Sequence, residues 1–432
     1  MDNNEGLKRN IGTWGLTSNI INTIIGAGIF VLPAIVTEGL GAASFLAYLF
    51  CGFLMTMILL CFAEAGSKVT ITGGAYAYIE AAFGKYAGFL TTNLFIFGAS
   101  LMATAAVANA VADTLTYLIP IFGDKLFRIF FFITLFTGLT IINVVGVSRG
   151  IALVKITTIA KLTPLVLLII AGLTHLKADN FSLTASPSIK SFGAISLILF
   201  FAFQGAENSL SVSGEIKDPV KTIPKSILLS TVFVLVIYLF IQLVAQGVVG
   251  NSLSEYKGAP LAEVARRIIG PFGKTIMIFG AAVSMFGYLS SDILNMPRVL
   301  FRSSRDEVLP IKALGKVHPR FATPYIAIIS FTTLSCILSI TGGFKQLAIL
   351  STSSVLLIYL GVALAVIKMR KKETVGQNYF KIPGGYTVPV ISIAIILWFL
   401  SNLEWKEVMY MTGFIALLSV IYFVIRYYNR KI

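Results

Sequence analysis

Two short stretches and two isolated side chains hold the residues whose types could do chemistry. The first stretch is Asn22-Thr23-Ile24-Ile25-Gly26-Ala27-Gly28-Ile29-Phe30, inside an uncharged run from Asn10 to Thr37. As a helix that run is about 42 Å long, more than enough to cross a bilayer. Two glycines around an alanine are the weakest place in it to keep a helix intact. A break there frees backbone N–H groups, which a water-poor setting tolerates only beside a cavity or a ligand. The restarted helix would turn its amides and positive dipole end toward that cavity, and an amino acid carboxylate is the natural occupant. The second stretch is Phe200-Phe201-Ala202-Phe203-Gln204-Gly205-Ala206-Glu207-Asn208-Ser209. Only uncharged residues, Ser191 to Ala206, precede its acid. An ionisable residue this deep in an apolar span is a functional candidate by default.

The isolated side chains are Lys161, in Ile159-Ala160-Lys161-Leu162-Thr163-Pro164, and Asp292, in Leu289-Ser290-Ser291-Asp292-Ile293-Leu294-Asn295. Both histidines, His175 and His318, fall between apolar runs, and Cys51, Cys61 and Cys336 fall within them. The cysteines read as small buried hydrophobes rather than a disulfide set or a metal site. With no His pair, no HExxH and no Cys/His group inside the spans, enzyme chemistry is not expected, and neither a metal nor a cofactor is.

The elements that must position these residues are membrane helices. The chain is 56% apolar and 12% charged, against about 25% charged in a soluble domain. Twelve spans are predicted at 11–36, 40–65, 86–117, 127–146, 152–174, 192–213, 226–249, 272–301, 323–341, 346–367, 386–402 and 407–425. The net charge of +15 does not point to nucleic acid, because the basic residues lie between apolar spans rather than on one face. They crowd onto one set of loops and tails, including Lys217, Lys221, Lys225, Arg302, Arg305, Lys312, Lys316, Arg320 and Lys368 to Lys372. Both termini are therefore expected in the cytoplasm of a multi-pass protein of the cell's inner membrane. The polar Met1 to Arg9 leads into a first span too long for a signal-peptide core. Gly73 to Phe83 is expected as an amphipathic helix on the inner surface, and Ala259 to Ile269 as a partial outer lid.

The first and sixth spans, both interrupted, each open a five-span unit. Paired interrupted spans in matching halves point to a transport site at a repeat interface. The expected organisation is one repeat over 1–175, a second over 176–367, and two further helices with a tail over 368–432.

Several motifs in order resemble the amino acid–polyamine–organocation transporters. They are Ile24 to Phe30, Phe201 to Glu207, Glu215-Ile216-Lys217-Asp218-Pro219 with Pro224, Pro297-Arg298 with Arg305-Asp306 and Leu309-Pro310, and Ile382-Pro383-Gly384-Gly385. The resemblance implies an all-α membrane fold of the leucine-transporter type, with inverted five-helix repeats and broken first and sixth helices. It implies secondary transport by alternating access, without sodium, by proton coupling or exchange. Basic amino acids or polyamines are the favoured substrates and neutral amino acids the alternative. A lipid bilayer and a small solute are the partners, and dimeric antiporters of the family suggest a homodimer.

Residue by residue, the resemblance implies that Ile25, Gly26, Ala27 and Gly28 hold a carboxylate through backbone amides. Phe201, Ala202 and Gln204 would turn carbonyls toward an ammonium, with Phe201 stacking on the substrate. Glu207 matches an acid tied to proton sensing or to a cationic substrate. Lys161 fills the place of a sodium ion and would bridge the first and eighth helices, toggling with protonation. Ser100, Thr104 and Val107 would line the side-chain pocket. For Asp292, near the position of a substrate-facing tryptophan, two roles are open: pairing with Lys161, or contact with the far cation of a dibasic substrate. Asp113 is expected at the entrance.

Overall fold

With no water to serve its peptide groups, an apolar chain closes its hydrogen bonds within helices. The computed structural model describes residues 11–69, 74–145, 161–182, 187–210, 216–305, 309, 311–371 and 379–429. Among these residues the regular secondary structure is helical, apart from one isolated bridge between Ile11 and Ile216. The segment up to Asn10, the start of the predicted fifth span, and Glu215, Asp306 and Pro310 lie outside the described residues.

In chain order the helices are α1 (Thr13–Ile24), α2 (Gly28–Leu40), α3 (Ser44–Lys68), α4 (Ala75–Phe83), α5 (Lys85–Asn93), α6 (Leu101–Thr116) and α7 (Lys125–Val145). They continue with α8 (Lys161–His175), α9 (Ile189–Leu199), α10 (Ala206–Leu210), α11 (Pro219–Val249), α12 (Pro260–Ile269) and α13 (Pro271–Arg305). The last four are α14 (Tyr325–Thr341), α15 (Phe344–Arg370), α16 (Thr387–Ser401) and α17 (Trp405–Asn429). Proline opens α11, α12 and α13, where its missing N–H costs nothing. Helix forms most of the described part of every predicted span, with breaks at 25–27 and 204–205, and short helices also form at α4 and α12.

Among the described residues, eight stretches are long and apolar enough to cross a membrane, and α8, α14 and α16 are shorter apolar helices. Burial sorts them into an inside and a rim. The stretch Lys85–Thr116 is 83% buried over its most apolar window, whereas Trp405–Tyr427 is 11% buried. The faces α7 and α17 turn outward carry Leu126, Phe130, Ile133, Met409, Leu417, Val420 and Phe423. An apolar surface on that scale faces lipid.

The interior follows one rule of pairing. α1 packs on α10 and α2 on α9, so the two interrupted helices lie antiparallel, side by side. Outside this pair, α3 packs on α11, α6 on α13 and α7 on α14. α15 covers the middle by packing on α6 and on the turn before it.

Candidate binding site between two interrupted helices

α1 stops at Ile24, and Ile25 closes it by donating its N–H to Ile21 O at 3.0 Å. Gly26 and Ala27 then run out of helical register, and α2 starts at Gly28. Among the described residues, the amides of Gly26, Ala27 and Gly28 donate to no backbone carbonyl. They are the free N–H groups that a helix start leaves over.

The second interruption is built differently. α9 tightens after Leu199 into a single 3-10 turn, Phe200–Phe203, and Gln204 follows in an extended conformation. Gly205 has φ +120°, a conformation that only glycine adopts without strain, and α10 restarts at Ala206. The glycines also let the two breaks touch. A Cβ at Gly28 would lie 2.6 Å from Ala202 Cα, and one at Gly205 would lie 2.6 Å from Thr23 O. Tyr238 Oη on α11 spans the contact, donating to Ala202 O at 2.8 Å and Ile24 O at 3.3 Å.

Beside this crossing lies a small, partly open cavity. Of the expected site residues, Gly26, Ala27, Gly28, Ser100, Phe201, Gln204, Glu207 and Asp292 line it, as does Val107. Gly26, Ala27 and Gly28 line it where α2 begins, the positive helix end, and Phe201 and Gln204 line it at the carbonyl end of α9. Phe201 is braced edge-on by Phe344, ring centroids 5.9 Å apart. Gln204 Nε2 donates to Thr352 Oγ1 at 2.7 Å.

The two carboxylates are held by neutral donors. Glu207 Oε2 accepts from Gly205 N at 3.0 Å and from Tyr359 Oη at 2.6 Å, so it ties α10 to α15. Asp292 Oδ2 accepts from Ser100 Oγ at 2.6 Å and Thr104 Oγ1 at 2.5 Å. Among the described residues, neither acid has a cation within ion-pair distance.

Four expectations need correction. Lys161 does not pair with Asp292 and does not bridge to the eighth helix. Its ammonium donates to Asn22 O at 2.7 Å and Ile25 O at 2.9 Å, capping the negative end of α1. Ile25 does not line the cavity, because its N–H closes α1 and its carbonyl takes Lys161. Ala202 turns away from the cavity, with its carbonyl on Tyr238. Thr104 is one step removed from the lining and acts through Asp292. Asp113 is ion-paired with Arg128 at 2.6 Å, and Arg128 also donates to Asn109 Oδ1.

Sequence reasoning missed Tyr288, Phe95, Asn208, Ser351 and Thr23, which also line the cavity. Tyr288 lies one turn before Asp292 on α13, a spacing that could have pointed to it. Its ring lies 3.5 Å from where a Gly26 Cβ would sit. Between α5 and α6 the chain takes a π-helical turn, Leu94–Ser100, a form that collects at functional sites. That turn brings Phe95, Ala99 and Ser100 to the cavity, and Ser351 Oγ donates to Ala99 O at 2.9 Å.

A bundle of apolar helices around a cavity, floored by two interrupted helices, is consistent with a multi-pass membrane transporter. The comparison with known families agrees: residues 11–425 match the amino acid permease model. The chain belongs to the amino acid permease family, within the amino acid–polyamine–organocation superfamily. It is 29% identical to the serine/threonine exchanger SteT of Bacillus subtilis over 400 residues, 90% of each chain. It is 26% identical to the branched-chain amino acid permease BcaP of Bacillus subtilis, covering 99% of this chain and 94% of that one. Against the cystine/glutamate transporter of Homo sapiens it is 28% identical, covering 87% of this chain and 77% of the relative.

Proposed function

We propose that the chain is a sodium-independent secondary transporter of amino acids that works by alternating access, with proton symport or exchange. The observation that carries this reading is the polarity of the cavity. Free amides of Gly26, Ala27 and Gly28 face it from the start of α2, and Phe201 and Gln204 face it from the end of α9. Opposite partial charges across one small space suit the carboxylate and ammonium of an amino acid.

The pairing of helices supports a leucine-transporter-type fold of twelve crossings. Joining α1 with α2, and α9 with α10, makes them the first and sixth crossings. The contacts α3–α11, α6–α13 and α7–α14 then join crossings five apart, as a pseudo-two-fold axis between 1–175 and 176–367 requires. α16 and α17 follow as additions in 368–432. Both termini lie in the cytoplasm and the membrane is the cell's inner one. The protein assembles as a homodimer.

Lys161 occupies the carbonyls of Asn22 and Ile25 where a coupling cation would otherwise sit, which supports sodium independence. Proton coupling runs through Lys161 and Glu207. Loss of the Lys161 proton frees the end of α1, and protonation of Glu207 changes its bonds to Gly205 and Tyr359. Cationic amino acids or polyamines are favoured because two acids without a cationic partner among the described residues line the cavity. Neutral amino acids are the second reading, favoured by the names of the serine/threonine and branched-chain relatives.

The test is uptake of radiolabelled arginine, lysine, putrescine and leucine into proteoliposomes, with and without sodium and a pH gradient. Saturable uptake or exchange of at least one of them, unchanged by sodium, is expected. No movement of any of the four would overturn the reading.

A further inference from the structure

We infer that Asp292, set in place by Ser100 and Thr104, reads the far end of the substrate and selects α-amino acids with a positively charged side chain. The inference rests on the transporter reading above and narrows its substrate class. Polyamines and neutral amino acids become the poorer ligands.

Asp292 is 4% exposed, and what exposure it has is to the cavity. Both of its hydroxyl donors go to Oδ2, while Oδ1 has no partner among the described residues. A buried carboxylate without a counter-ion is costly, and a cation arriving with the ligand removes that cost. Ser100 and Thr104 lie one turn apart, and together they lock the carboxyl rotamer before the ligand binds.

The position fits a second charged end. Tyr288 covers Gly26, where the substrate carboxylate is placed, and Asp292 lies one turn further along α13. Four residues of helix rise about 6 Å, comparable with the reach of an ornithine or lysine side chain. Phe95, Ala103 and Val107 line the cavity with apolar surface that takes a methylene stem. Tyr288 and Phe201 offer ring faces that favour a cation.

Glu207 is the less suitable partner for that far end. Its bonds to Gly205 N and Tyr359 Oη hold it at the break that faces the α-ammonium rather than beside the apolar stem surface. A diamine such as cadaverine reaches Asp292 but brings no carboxylate to the amides of Gly26, Ala27 and Gly28. Norleucine keeps the zwitterion and the stem but leaves Asp292 unpaired.

Lysine, ornithine, norleucine, serine and cadaverine therefore separate the possibilities. Purified protein is assayed by thermal shift, and proteoliposomes by competition against labelled lysine. Lysine and ornithine should bind at least tenfold more tightly than norleucine, serine or cadaverine. In Asp292→Asn the ratio of lysine to norleucine affinity should fall at least tenfold. Ser100→Ala, which keeps the charge but loosens the carboxyl group, should lower the same ratio by a smaller factor and serves where Asp292→Asn does not fold. Serine or norleucine binding as tightly as lysine would overturn the inference and leave amino acid transport standing. So would an equal loss for every ligand in Asp292→Asn. Absence of binding and transport for all five would remove both.

Discussion

Gly28 and Gly205 hold their places for different reasons, and substitution separates them. At Gly28 the obstacle is packing, since a Cβ would meet Ala202 Cα and Cβ, both at 2.6 Å. Gly28→Ala is expected to push the two breaks apart, costing about 1–3 kcal/mol and most of the substrate affinity. At Gly205 packing and conformation combine, because φ is +120° and Thr23 O lies 2.6 Å away. Gly205→Ala should cost more than Gly28→Ala. Gly413, with open space around its Cα, is the control: Gly413→Ala in α17 should be neutral or stabilising by up to about 1 kcal/mol. Melting temperatures of the three variants in detergent check the order. The sequence announced Gly26–Gly28 because small residues stand out in a long apolar run. Asp292 stood out as an acid, and the resemblance marked Ser100 and Thr104, but their bonds to Asp292 were not legible, since hydroxyls on another helix leave no mark near residue 292. Tyr288 had only its place one turn before Asp292 to mark it, since one aromatic among many in an apolar span does not stand out by type.

At the scale of an element, α12 makes the sharpest case. It lies over α2, α11 and α13, with Leu261, Ala262, Val264 and Ala265 on its buried face. Glu263 is clamped by Arg266 at 2.7 Å and Arg267 at 2.9 Å. The Arg266 hydrogen bonds, seconded by Arg267, hold the Glu263 carboxyl below its ordinary value. The stabilisation is therefore complete above the usual glutamate pKa of about 4.3 and disappears as pH falls through the lower folded value. A spin label at exposed Ile269 should become more mobile as pH falls below about 4. With Glu263→Gln it should be mobile throughout, and a label equally fixed in both proteins at neutral pH would refute the clamp. Helices such as α4 and α12 were legible as amphipathic patterns. The π-helical turn Leu94–Ser100 was not, because a tertiary bond, Ser351 to Ala99 O, helps to sustain its altered register.

For the whole molecule, ties at the two ends hold the bundle around its cavity. At one end, Glu64 on α3 is fully buried and takes a bidentate hydrogen bond from Arg370 on α15, with Lys68 at 3.3 Å and Ile382 N at 3.0 Å. The Ile382-Pro383-Gly384-Gly385 motif is thereby docked where α15 ends. Glu64→Ala would strand the Arg370 guanidinium in a buried setting, and a loss of about 3–5 kcal/mol is expected, read as a fall in melting temperature. A double variant with Arg370→Leu should recover part of it. At the opposite end, Lys257 pairs with Glu38 at 2.6 Å, and Thr114 Oγ1 donates to Gly258 O at 2.9 Å. Membrane class and the line of helices were readable from apolar length alone. Which helices pack together was not, because contacts such as α3 with α11 join residues far apart in the chain and leave no local pattern.

An experimental map of the protein with bound lysine tests the central claim most directly. The expected density places the carboxylate within hydrogen-bonding distance of the Gly26, Ala27 and Gly28 amides, the α-ammonium at Phe201 and Gln204, and both helices interrupted. A solute bound elsewhere, or continuous helix through Gly26–Gly28 and Gln204–Glu207, would contradict it.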